Sequence, residues 1–250
     1  MKKKGYCRLV LTLVFAESAL QLIPKGIQSH SQIVQYAKRR QKNPPEILLD
    51  RAFHHAAMQR LPRSNRSFPS EKMGRPDIIH TSLLQVLETP LNWEGKLRVF
   101  VHTQDDQVIS INPKIRLPKN YTRFVGLIEQ LFSEGQVPKT GEALLSIQKM
   151  PLHGLLQKLN PSKVIAFSIL GKPALMREVA DSVCKLREPL AMIGGFPRGH
   201  FTESTRKQSQ ALVSVDPQPL DAWVVAGRFV YDFEWSLGLA EDRIKQSQHR

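Results

Sequence analysis

PLAMIGGFPRG, residues 189–199, runs from an unbroken apolar segment into a turn built of glycine and proline. An apolar run without alternation is the mark of a strand covered on both faces, as in a parallel sheet. Working outward, KVIAFSIL (163–170) precedes it and ALVSV (211–215) follows, each with the same character. Helical stretches are expected from Lys172 to Leu186 and from Asp221 to Leu237. Apolar strands that end in Gly-rich loops, with helices between them, predict a parallel α/β sheet with a ligand crevice at the strands' carboxyl ends. Gly194 and Gly195 would let a ligand approach the backbone closely, and Gly199 permits a turn after Pro197. A plain Gly-Pro turn fits the same residues, and the Gly-Lys-Ser ending of a phosphate loop is missing.

The first half has another character. GRPDIIHTSLLQVLETPLN (74–92) leads through a short hairpin to INPKIRLPKNYTRF (111–124). Ile78 to Leu87 has the spacing of a helix, with Ile79, Leu83, Val86 and Leu87 inward. Leu97–Val101 and Val108–Ile111 alternate around a turn-prone TQDD and predict a hairpin. A further helix is expected after Asn120, with Phe124, Leu127, Ile128 and Leu131 as its inner face. Arg75 and Asp77 bracket Pro76, and Arg116, Lys119 and Arg123 recur within eight positions. So many cations on short apolar elements suggest a surface that meets an anion. Asp77 has two readings: an N-cap for the helix that follows, or a carboxylate that handles a proton. His80 and His102 are expected to be structural, and Trp223 and Trp235 to serve core or dimer packing.

At 250 residues the chain can bury a sizeable core. Its net charge of +14 is uneven, since residues 1–80 hold 15 Lys or Arg against 5 Asp or Glu. That excess favours nucleic acid in a salt-dependent way, although a solubilising surface would have the same composition. Two cysteines, Cys7 and Cys184, fit a reducing compartment and no metal site. KKKGYCRLVLTLVFAES (2–18) imitates a secretory signal, but Leu9 to Phe15 also suits a buried first strand. No run reaches the roughly 20 apolar residues of a membrane span.

Four strings, RPDIIH, RLPKNYTRF, IGGFPRG and VDPQPLDAW (215–223), stand in an order that resembles one family, and FAESALQLIP (15–24) is similar to its first strand and turn. This is the family of SPOUT-class methyltransferases that act on pseudouridine in small-subunit ribosomal RNA, the nucleolar essential proteins of archaea and eukaryotes. The resemblance covers about Leu9 to Trp235. It departs at Lys119, where many relatives carry arginine; lysine keeps the charge and loses the two-pronged phosphate contact.

The resemblance implies one domain over 1–240, with a deep C-terminal trefoil knot, a parallel sheet with helices on both faces, and a polar tail at 241–250. It reads the hairpin at about 95–113 as an inserted extension outside that sheet. It implies S-adenosylmethionine as cofactor, held by three loops: Leu170 and Gly171; Gly194, Gly195 and Gly199; and Val215, Asp216, Pro217, Gln218, Pro219 and Leu220. A bulky residue at 195 is then expected to block the cofactor and leave the fold intact. Asp77 and Arg75 would be catalytic, with Arg75, Arg116, Lys119 and Arg123 on the RNA. The implied partners are small-subunit ribosomal RNA containing pseudouridine and a second copy of the chain, with no membrane. The implied location is cytoplasmic for an archaeal-type protein and nucleolar for a eukaryotic one. The rival is a non-catalytic RNA-binding assembly factor on the same fold, which would show a damaged cofactor loop or a missing Asp77.

Overall fold

The computed structural model describes residues 9–61 and 69–248; the basic N-terminal residues with Cys7 lie outside that range. The chain opens with β1 (Leu11–Ser18), α1 (Ser31–Arg40) and α2 (Arg51–Gln59). Then come α3 (Pro76–Leu87), α4 (Pro90–Trp93), β2 (Leu97–Thr103), β3 (Gln107–Ile111) and α5 (Tyr121–Glu134). The middle holds β4 (Gln136–Val137), β5 (Leu145–Lys149), α6 (Leu152–Leu159) and β6 (Lys163–Pro173). The last part is α7 (Met176–Val183), β7 (Pro189–Gly194), α8 (Glu203–Arg206), β8 (Ala211–Ser214), α9 (Ala222–Ser236) and α10 (Leu239–Ser247).

One eight-stranded sheet runs in the order β4-β5-β3-β2-β1-β7-β6-β8. The pairings β2·β1, β1·β7, β7·β6 and β6·β8 are parallel, and β3, β5 and β4 add on antiparallel. The sheet is therefore mixed, where the sequence predicted a parallel one. The hairpin is a correction too: Leu97–Val101 pairs in register with Leu11–Phe15, so β2 is an internal strand rather than part of an outlying extension.

Every residue of β1 is buried, which is what an unbroken apolar strand requires of a sheet covered on both sides. Leu11, Leu13 and Phe15 join the larger core with α3, α5, α7 and α9. Val14 and Ala16 face the smaller one, with Leu152, Leu155 and Leu156 of α6. A third cluster lies in the α1–α2 region, where Ile33, Ala37 and Ala57 meet. The C-terminal residues form α10 as far as Ser247, with Arg243 paired to Glu94 and lying 5.6 Å from the Trp93 ring centre.

Candidate active site

A cavity of about 600 Å³ opens where β6, β7 and β8 end, a volume typical of small-molecule sites. Phe167, Ser168 and Ile169 line it from β6, Ile193 and Gly194 from β7, and Val213 and Ser214 from β8. Segment 196–201 and residues Val215, Asp216, Gln218, Pro219 and Leu220 complete the loops, and Asp221, Ala222, Trp223 and Val225 bring in the start of α9. Apolar walls carrying a few polar groups suit a small organic ligand. The third loop is set by its own side chain: Asp216 Oδ1 accepts from Gln218 N at 2.9 Å, and its carbonyl accepts from Ser214 Oγ at 2.9 Å. Pro219 fixes its own φ and offers no N–H there.

Arg75 closes one side of the cavity from the start of α3. Its guanidinium grips Asp77 with two bonds, Nε to Oδ1 at 2.8 Å and Nη2 to Oδ2 at 2.7 Å. Both side chains are a little over a third exposed, so a substrate can reach the pair. The bond from Asp77 is the leading influence that raises the Arg75 pKa, opposed by burial and aided by the Asp50 and Asp221 charges. Pro76 takes the first helical position and Arg75 the cap position without a capping bond, so the helix starts two residues earlier than a capping Asp77 would need. The carboxylate is therefore committed to Arg75 rather than to the helix backbone.

Arg116, Lys119 and Arg123 are all exposed, on the loop before α5 and its first turn. Among the described residues, none of the three side chains makes an ion pair. His80, one turn along from Asp77, ties this loop to α3: its Nε2 donates to the Pro118 carbonyl at 2.7 Å, and its ring stacks on Phe124 at 4.4 Å. The Tyr121 hydroxyl donates to Asp50, and burial, ahead of that bond, pushes its pKa up. The cations and the Arg75–Asp77 pair thus share one support.

A family model described as EMG1/NEP1 methyltransferase matches residues 13–234. The chain belongs to this family. The ribosomal RNA small subunit methyltransferase Nep1 of Thermococcus kodakarensis is 43% identical over 230 residues, 92% of this chain and 100% of that protein. The protein of the same description from Pyrococcus furiosus is 38% identical, over 91% of this chain and 97% of its own length. Among solved structures, Archaeoglobus fulgidus Nep1 bound to S-adenosylhomocysteine matches with a TM-score of 0.79 at 33% identity. That match covers 92% of this chain and 100% of the other.

The four strings that carried the resemblance therefore point to the right family. Of the residues they nominated for the EMG1/NEP1 cofactor loops, the cavity gathers Gly194, Gly199, Val215, Asp216, Gln218, Pro219 and Leu220. Leu170, Gly171, Gly195 and Pro217 do not line it. Leu170 is half exposed, and Gly171 presses on the β8 backbone, where an added Cβ would sit 2.4 Å from Val213. Gly195 extends the β1 ladder, donating to Ala16 O at 2.9 Å and accepting from Ala19 N at 2.8 Å. A Cβ there would lie 2.2 Å from Ser18 Oγ, so a bulky residue at 195 disturbs the fold itself.

His102 is structural, accepting from Glu17 N through Nδ1 at 3.4 Å, and burial lowers its pKa. Trp223 lines the cavity as well as packing on the core. The sequence reading passed over Glu17, Lys72 and Thr202, which join behind the cavity wall. The signal available was a carboxylate at the very end of an apolar strand.

Proposed function

We propose that this chain methylates N1 of a pseudouridine in small-subunit ribosomal RNA and takes part in assembling that subunit. Methyl transfer dependent on S-adenosylmethionine is the chemistry of its EMG1/NEP1 relatives, whose descriptions name the small-subunit ribosomal RNA and, in the A. fulgidus complex, bound S-adenosylhomocysteine. The residues present fit that cofactor: the cavity has the volume and largely apolar lining for it, with Gly194 and Val215, Asp216, Gln218, Pro219 and Leu220 on its wall. When bound, the cofactor supplies an electrophilic methyl group on a sulfonium.

The observation that carries the reading is Arg75 on the cavity wall with Asp77 bonded to it, on the same support as three exposed cations. In uridine the corresponding ring nitrogen is bonded to the sugar. In pseudouridine it is free but protonated, so a proton must leave as the N1–methyl bond forms. Asp77 accepts that proton, directly or through water. Arg75 stabilises the charge that builds on a ring carbonyl. Arg116, Lys119 and Arg123 hold neighbouring phosphates while the base leaves the stack.

Three further readings belong with this one. The three C-terminal loops form a trefoil knot; β6 meets β8 twice, at Phe167↔Val213 and again at Lys172↔Val213, and Gly171 allows the tight passage. The working form is a homodimer, supported by the exposed Tyr231 and Trp235 on α9 and a shallow groove with Trp223, Val224 and Gly227. The protein is an archaeal-type cytoplasmic enzyme of one domain. Labelled methyl transfer to a ribosomal stem-loop tests the main claim. We expect label on RNA carrying pseudouridine at one position and none on the same RNA carrying uridine; methylated uridine would overturn the substrate assignment.

A further inference from the structure

Glu17 stands at the carboxyl end of β1, 1% exposed, with a left-handed φ of 52° that a non-glycine residue rarely adopts. Its main chain is held on both sides: the N–H donates to His102 Nδ1 at 3.4 Å, and the carbonyl accepts from Gln104 Nε2 at 3.1 Å. Such strain persists only where surroundings over-determine it, and it tends to mark function.

The side chain faces the back of the loop that walls the cavity. Oε1 accepts from Thr202 N at 2.8 Å and Thr202 Oγ1 at 2.7 Å. Oε2 accepts from Lys72 Nζ at 3.0 Å. Lys72, 5% exposed, reaches the same loop twice more. Its ammonium donates to the His200 carbonyl and lies 4.0 Å from the centre of the Phe196 ring. Phe196 and His200 both line the cavity. One buried ion pair therefore fastens the loop at its beginning and its end, while Gly199, at φ 85°, leaves the middle with no stiffness of its own.

A buried ion pair is a poor way to gain stability, because desolvation cancels most of the attraction and apolar residues of similar size do as well. What it supplies is direction: a carboxylate with three donors and an ammonium with several acceptors accept one arrangement of the loop. A loop ordered beforehand spares its ligand the entropic cost of ordering it. We infer that Glu17, acting through Lys72 and Thr202, is a positioning residue that pre-orders the 196–202 loop for the methyl donor. This rests on reading the cavity as the cofactor site.

The test is calorimetric binding of S-adenosylhomocysteine to the full chain, beside binding of the stem-loop RNA. Thr202→Val removes one bond to the carboxylate together with the hydroxyl that caps α8, and keeps the buried ion pair. Glu17→Gln keeps the shape and the helix cap made by Thr202. In both we expect cofactor affinity to fall about tenfold, the scale of one charge-assisted hydrogen bond removed. RNA affinity should stay within about twofold, and amides of 196–202 should exchange faster. Thr202→Ser, which restores the hydroxyl, should bind as wild type. A folded Thr202→Val protein with wild-type affinity and exchange overturns the inference, whatever Glu17→Gln does to the melting temperature. Wild-type protein that binds no S-adenosylhomocysteine, or binds it without slowing exchange around the cavity, overturns the cofactor site and this inference together.

Discussion

At the scale of single residues, the pair most legible in the sequence is also the one whose geometry differs most from its first reading. The letters RPD by themselves suggested a helix cap, and the family resemblance a reactive carboxylate. The structure separates the two: α3 begins at Pro76, and Asp77 is bonded to Arg75 instead. Asp77→Asn therefore tests the carboxylate's charge without removing a cap. Asparagine retains one acceptor for Arg75 and cannot take a proton. We expect stability and cofactor affinity near wild type and single-turnover methylation lowered by roughly 10²-fold or more, the scale of a missing general base. Equal single-turnover rates on the pseudouridine stem-loop would leave Asp77 as a partner of Arg75 only. Gly171 and Gly195 were legible as glycines that matter but not as to why. Whether a missing Cβ makes room for a ligand or for another strand depends on what lies opposite, and Val213 and Ser18 are far away in sequence.

At the scale of elements, strong periodicity was read correctly and partnership was not. The hairpin's alternation showed that two strands turn on each other. It carried no information that Leu97–Val101 would pair with Leu11–Phe15 across the first core. The short β4 and β5 and helices α1 and α6 escaped, being brief or largely polar: α1 buries only Ile33 and Ala37. Its end is also fastened electrostatically, by Arg40 and by Lys42 two residues beyond it, at 2.8 and 2.6 Å from the buried Glu129 of α5. Next to α1, α2 is bent at His54, whose φ of −122° leaves the helix. His54 is fully buried, and its Nδ1 accepts from Asp50 N at 3.0 Å. A second proton would have to break that bond, and burial, helped by the Arg40 charge, holds the pKa down at about 4. The folded value lies below the unfolded one, so this contribution to stability is complete above about pH 6.5 and is lost as pH falls towards 4. Urea unfolding of wild type and His54→Asn across that window should show the wild-type advantage shrinking by about 3 kcal/mol. An advantage that stays constant with pH would mean that His54 takes up its proton equally well when folded.

At the scale of the molecule, composition foretold an anionic partner and could not say where it lies. The net charge of +14 and the excess in residues 1–80 are sums, and many of those cations have private partners. Lys72 is buried with Glu17, Arg40 and Lys42 are bound to Glu129, and Arg75 holds Asp77. Those four are engaged by carboxylates of the protein before any backbone phosphate. Arg116, Lys119 and Arg123 are exposed without an ion pair among the described residues, and the His80–Pro118 bond places them alongside α3. They, more than the total, should set how binding responds to salt. Removing the cation from one phosphate should lower the slope of log affinity against log salt by roughly 0.7 to 0.9. Arg116→Ala and Arg123→Ala should do so one step at a time. Lys158→Ala, exposed on α6 across the sheet, should leave the slope unchanged although it removes the same formal charge. If Lys158→Ala flattens the slope as much as Arg123→Ala, binding follows net charge over the whole surface. A slope that moves only with the cations on and before α5 ties the RNA to the face where Arg75, holding Asp77, lines the cavity.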